Sequence, residues 1–132
     1  MRIENINLEN YKTRGGYSPA KKIDMGDFYL IFVSGFQAPK NENNEIVTTD
    51  IAEQTRLVFN EIERTLEKAG ASLDNVVKAV IYLTDMNDFS VVSPIRDEYF
   101  KNSLPVSTMV EVNAMTRKGA KIEIEVTAIL EK

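Results

Sequence analysis

Residues 76–84, Val-Val-Lys-Ala-Val-Ile-Tyr-Leu-Thr, constrain the fold of this chain more than any other stretch. A run rich in Val, Ile, Tyr and Leu, bounded by polar residues, reads as a strand. Val77, Ala79, Ile81 and Leu83 alternate with Val76, Lys78, Val80, Tyr82 and Thr84, so both faces are substantially apolar. Helices on one side of the sheet cover one face; the other then needs a partner surface, which points to a second subunit. A chain of 132 residues with 43% hydrophobic residues is expected to form a single domain, 1–132, with one core and apolar surface left over.

Around this strand the remaining elements follow in order. Residues 3–8 alternate loosely and predict a weak strand. Residues 20–24 and 28–34 flank Met25-Gly26-Asp27 and predict a hairpin, its second arm apolar on both faces. Gly35 at the end of that arm marks a bulge or a close approach of the backbone to another group. Residues 45–48 predict a short edge strand. A helix opens at Thr49 or Asp50, with Asp50 and Glu53 at capping-box spacing, and stops at Gly70. Ile51, Val58, Ile62, Leu66 and Ala69 fall on its inward face, while Glu53, Arg56, Glu61, Arg64, Glu67 and Lys68 form a solvated one. A shorter helix starts at Ser90 or Ser93, with Pro94 in its first turn, and ends near Phe100, turning Val92, Ile95 and Tyr99 inward. The order of strands, helix, strand, helix and two strands predicts an α+β sandwich with helices on one face of a mixed sheet.

The two final strands carry the chemistry. In residues 105–113, Pro-Val-Ser-Thr-Met-Val-Glu-Val-Asn, a packable row of Val106, Thr108, Val110 and Val112 alternates with Ser107, Met109, Glu111 and Asn113. Residues 121–130 repeat the arrangement, with Ile122, Ile124, Val126, Ala128 and Leu130 opposed to Lys121, Glu123, Glu125 and Thr127. Two polar rows suggest a lined cleft; the plainer alternative is a sheet with one solvated face.

Composition removes several function classes. A net charge of −4 argues against a nucleic-acid binder, which would display a basic stripe. With no cysteine and no histidine, disulfides, thiolate catalysis, the commonest metal ligand and the commonest neutral-pH base are all absent. Neither a metal nor an organic cofactor is expected, and chemistry falls to carboxylates, hydroxyls, backbone groups and water. No apolar leader opens the sequence and no stretch approaches the ~18 apolar residues of a membrane span, so the expectation is a cytoplasmic protein without a membrane partner.

Seven motifs carry a family resemblance across nearly the whole chain. They are Gly16-Tyr17-Ser18-Pro19-Ala20, Phe32-Val33-Ser34-Gly35, residues 50–56, residues 69–78, Leu83-Thr84-Asp85-Met86, Val110-Glu111-Val112 and Ile122-Glu123-Ile124-Glu125. In that order and spacing they resemble the Rid family, also called YjgF/YER057c/UK114. The resemblance implies a chorismate-mutase-like α+β fold with two helices on one face of the sheet, and a homotrimer with a small-metabolite cleft at each subunit interface. It also implies hydrolysis of enamine or imine intermediates to a ketoacid and ammonia, with Glu123 positioning the attacking water and Tyr17, Ser34, Gly35, Ser107 and Thr108 binding the substrate. The family's carboxylate-anchoring Arg corresponds to Ser107, and an Asn many members carry in the second helix corresponds to Ser93. Losing a guanidinium forfeits ~1.5–3 kcal/mol of charge-assisted bonding, so α-carboxylate recognition is expected to fall roughly 10- to 100-fold. Arg14 and Arg117 are the cations that could fold into the cleft instead. The alternatives are a non-catalytic metabolite-binding trimer and, from an older family label, a ribonuclease or translation inhibitor, which the acidic charge and absent histidine disfavour.

Overall fold

The computed structural model describes residues 2–8 and 15–132. Six strands, β1 (Ile3–Ile6), β2 (Ala20–Asp24), β3 (Phe28–Phe36), β4 (Val76–Leu83), β5 (Val106–Glu111) and β6 (Ile122–Glu131), form one sheet in the order β1-β2-β3-β6-β4-β5. All neighbours are antiparallel except β4 and β5, which run parallel because α2 (Phe89–Tyr99) carries the chain back between them. The helices α1 (Ile51–Lys68) and α2 pack on one face of this mixed sheet, the α+β arrangement expected. β6, last in sequence, lies between β3 and β4 and so carries Glu123 into the middle of the sheet.

The long helix keeps its N-cap and its glycine stop but not the full capping box: the Glu53 carboxylate accepts from Thr48 Oγ1 at 3.0 Å, and the Asp50 N–H donates to Thr48 Oγ1 at 3.1 Å. The Asp50 side chain accepts from the Glu53 N–H at 2.9 Å, and Gly70, at φ +84, lets the Ala71 N–H return to the Leu66 carbonyl at 2.8 Å. Val58, Ile62 and Leu66 are fully buried against Ile31, Val33, Ile81, Leu83, Ile122 and Ile124. Phe59 joins the helices, its ring stacked on Tyr99 at 4.4 Å and edge-on to Phe100 at 5.2 Å.

Three expectations are corrected. The second helix begins at Phe89, one step after a 3₁₀ turn over Met86–Asp88, so Pro94 lies in its second turn rather than its first. Asp85 caps that preceding turn through the Asn87 N–H, while Ser90 and Ser93 fall inside the helix. Residues 45–48 form no strand, only a single bridge between Lys40 and Ile46. The largest correction concerns β5. Its register with β4 pairs Val106, Thr108 and Val110 with Lys78, Val80 and Tyr82, and Tyr82 in turn pairs with Glu123. The row expected to pack is therefore on the sheet face away from the helices, with Val106 68% and Val110 39% exposed. Ser107 and Met109 pair instead with core residues Ala79 and Ile81, on the helix side.

That outer face is covered by neither helix. It combines Phe32, Val106, Val110 and Ile129, all exposed, with Lys78, Tyr82, Glu123 and Glu125. Four exposed apolar side chains thus share one sheet face with polar and charged ones.

Candidate active site

The site is built where β3 breaks its register. Val33 pairs with Val126 and Phe36 with Ile124, so Ser34 and Gly35 together occupy the length of one residue on β6. The bulge aims both residues toward structures outside the ladder. Ser34 donates its hydroxyl to the Ser18 carbonyl at 2.7 Å and its N–H to the Pro19 carbonyl at 2.8 Å. These two bonds tie the Gly-Gly loop to β3 and hold Tyr17 beside Ser34, where both line a concavity of about 630 Å³ with Asn5, Lys21 and Phe32.

Gly35 makes room for Glu123. A Cβ at Gly35 would stand 2.6 Å from Glu123 Oε2 and 2.8 Å from its Cδ, closer than real side-chain contacts allow. Glu123 Oε1 accepts from Gln37 Nε2 at 2.7 Å. Gln37 is itself locked: its amide oxygen accepts from the Arg117 N–H at 3.1 Å, which leaves its nitrogen to donate to Glu123 and to Thr116 Oγ1 at 2.9 Å. The carboxylate is thus held on one oxygen and crowded by backbone on the other, a fixed orientation suited to directing a water.

Glu125, two residues on and on the same face, is engaged differently. It accepts a short hydrogen bond from the Tyr82 hydroxyl. That bond, with burial and the charges of Glu125 and Glu123, pushes the Tyr82 hydroxyl up to about 12. Of the two carboxylates, Glu123 is the one set against the bulge.

The remaining expected residues lie elsewhere in a single chain. Thr108 is exposed on the outer face of the edge strand β5. Ser107 points to the helix side and lines a separate hollow of about 300 Å³ with Arg96, Phe100 and Leu104. Ser107 and Glu123 are therefore on opposite faces of one sheet. Arg117, a candidate replacement cation, donates its guanidinium to the Ala38 carbonyl at 2.8 Å and so braces the Gln37 segment. Arg14, the other candidate, lies outside the described residues. Among the described residues no group of three or more Asp or Glu could hold a metal ion, and no helix is long and apolar enough to cross a membrane.

Gln37 and Gln54 were not singled out from the sequence. Gln54 is fully buried; it donates to the carbonyls of Thr48 and Gly119 and accepts from the Lys121 N–H at 2.8 Å, anchoring the loop that precedes β6. The available signal was position: Gln54 lies between Ile51 and Val58 on the inward stripe of α1, where a polar side chain needs a specific partner.

The fold and its bulged, carboxylate-bearing sheet define a class: α+β proteins of chorismate-mutase-like architecture with an outward-facing acidic site. Residues 8–130 match the sequence profile of the family described as Endoribonuclease L-PSP. A RutC family protein of Pyrococcus abyssi is 44% identical over 120 residues, covering 91% of each chain. The 2-iminobutanoate/2-iminopropanoate deaminase of Homo sapiens is 34% identical over 115 residues, covering 87% of this chain and 80% of the human one. A solved Mycobacterium tuberculosis member of the YjgF/YER057c/UK114 family superposes with a TM-score of 0.81 at 33% identity, over 96% of this chain and 98% of that one. The chain belongs to the Rid (YjgF/YER057c/UK114) family.

Proposed function

We propose that this protein hydrolyses imines and enamines of small metabolites, with Glu123 positioning the water. The observation that carries the reading is the Glu123 carboxylate, pressed against Gly35 and held by Gln37 at 2.7 Å. In the step envisaged, Glu123 accepts a hydrogen bond from water, whose oxygen attacks the imine carbon while its proton passes to nitrogen. The resulting carbinolamine loses ammonia as its hydroxyl proton follows the nitrogen, leaving a carbonyl; one water is consumed per ammonia released. The similarity to named 2-iminobutanoate/2-iminopropanoate deaminases supports this chemistry. Tyr17 and Ser34, together at the concavity beside the bulge, are assigned to substrate binding with Gly35, Ser107 and Thr108.

Ser107 offers a hydroxyl where a guanidinium fork would be needed, so substrate charge is met by another residue or the substrate lacks it. Because Ser107 and Glu123 face opposite sides of the sheet, a cleft holding both takes one residue from each of two copies, which fits a homotrimer with interfacial clefts. Endoribonuclease action draws no support from a net charge of −4 and the absence of histidine.

The test is the disappearance of imines generated in situ, by an amino-acid oxidase for 2-iminopropanoate and 2-iminobutanoate and by an amine oxidase for imines lacking a carboxylate. The wild-type protein is expected to accelerate loss of at least one, and Glu123→Gln to lower that rate about 100-fold or more. Equal rates for wild type and Glu123→Gln across the panel would sink the reading in favour of a non-catalytic metabolite binder.

A further inference from the structure

Ser93 and Ser107, the two positions that the family resemblance marks as departures, are both neighbours of one arginine. Arg96, in the last turn of α2, donates from NH2 to Ser93 Oγ at 3.0 Å, and its side chain lines the same hollow as Ser107. Its Nε and NH2 also meet Asp97 Oδ1 at 3.1 Å. Among the described residues no acceptor is hydrogen-bonded to NH1, so part of the guanidinium's five-donor fork stays open. The Arg96 side chain is 21% exposed and its Asp97 partner 67%, so solvent reaches the carboxylate side of the pair and weakens it against a better-placed carboxylate.

Asp97 also lines the hollow, and the rest of its wall is apolar. Phe100 and Pro105 form its wall, and Leu104 stands at its rim with φ +46 and 79% exposure. A leucine held in the left-handed region with its side chain in water is disfavoured twice over, sterically and by exposure. The same loop leaves the Ser103 hydroxyl buried with no hydrogen-bond partner among the described residues. A largely apolar hollow of about 300 Å³, with one guanidinium, its Asp97 partner and one hydroxyl converging on it, has the size of a site for a small organic anion that takes the place of the Asp97 carboxylate on Arg96.

We propose that Arg96 is the carboxylate-binding residue of this protein: a small 2-oxo or 2-imino acid seats its carboxylate on Arg96 and the Ser107 hydroxyl, with its carbon chain against Leu104 and Phe100. The anchor has moved from the strand to the facing helix. The inference rests on the reading of the site as an imine hydrolase only in its choice of ligand class, and its test does not require turnover.

The experiment is isothermal titration of the protein, in the oligomeric form it adopts, with sodium 2-oxobutanoate and with its uncharged methyl ester. The acid is expected to bind and the ester not to bind over the same range. Arg96→Gln should weaken binding of the acid about 10- to 100-fold, Arg96→Lys less, and Ser107→Arg placed in the Arg96→Gln background should recover it. Because the side-chain hydrogen bonds of Arg96 go to Ser93 and the exposed Asp97, and glutamine keeps part of its packing, Arg96→Gln should remain folded; were it to unfold, Arg96→Lys and the acid-against-ester comparison still decide. The proposal is overturned if wild type binds no acid, if acid and ester bind alike, or if the folded Arg96→Gln variant binds within twofold of wild type. Binding that needs Arg96 in a protein that turns over no imine would keep the anchor and discard the hydrolase reading. Imine hydrolysis indifferent to Arg96 would do the reverse.

Discussion

Replacing Gly35 with alanine tests the site with a single methyl group. Gly35 is not among the residues at positive φ, so its backbone accepts alanine without strain. What the glycine supplies is space: the new Cβ would lie 2.6 Å from Glu123 Oε2. Restoring ordinary separation of ~3.5 Å requires the carboxylate to retreat by roughly 1 Å. The Gln37 contact, now 2.7 Å, would then stretch to the edge of hydrogen-bond range or beyond. The expected stability change is small, since ~0.4–1 kcal/mol gained by restricting the unfolded chain offsets part of the ~1.5–3 kcal/mol of a lost charge-assisted bond. The expected fall in imine hydrolysis is large, on the order of 100-fold, because a displacement of ~1 Å at the reacting centre disrupts alignment. In the Glu123→Gln background the same substitution should cost little further activity, the non-additivity of residues acting as a unit. Thermal melts, imine-loss kinetics and a crystal structure of Gly35→Ala provide the three readouts. A variant with wild-type kinetics, or one in which Glu123 keeps its Gln37 bond, would refute the claim that Gly35 exists to seat this carboxylate.

Three further outcomes are expected. Tyr82, raised to about 12 chiefly by its bond to Glu125, is protonated in the folded state where the unfolded chain has ionised at ~10. Its contribution to stability is therefore complete below pH ~10 and lost as pH climbs toward 12, so the stability gap between wild type and Tyr82→Phe should shrink over that window; a gap constant from pH 9 to 12 in denaturant titrations rules this out. Phe59→Ala removes a fully buried ring stacked on Tyr99 and should destabilise by ~3–5 kcal/mol, read from chemical unfolding; a change under ~1 kcal/mol would mean the helix–helix seam is not where the core is held. Light scattering coupled to size exclusion should return the mass of three 14.9 kDa chains, and a monomer at micromolar concentration would remove the interfacial cleft.

What the sequence made legible was periodicity, and what it hid was orientation. The inward stripe of α1 and the Gly70 stop were readable because the 3.6-residue period and a positive-φ glycine are local properties. The bulge at Gly35 was readable for the same reason, although its cause, the Glu123 carboxylate 88 residues away, was not. In β5 the alternation was found and its sense was inverted. A strand with valines on one side and Ser, Met and Glu on the other looks as though the valines face the core, but β5 is an edge strand whose side assignment is dictated by parallel pairing with β4. Once the register is fixed, the valines join Glu123 and Glu125 on the outer face, and Ser107 turns toward α2 and Arg96. The inversion changes the functional argument. Two polar rows on one face would make a cleft within one chain, whereas a glutamate on one face and a serine on the other serve a common ligand only if a second copy lays its β5 edge beside the first copy's outer face. The exposed Val106, Val110 and Phe32 supply an apolar surface on that face, and β5, at the edge of the sheet among the described residues, lies next to it. The same inversion is what makes Arg96 visible, since only a helix-facing Ser107 shares a hollow with the last turn of α2.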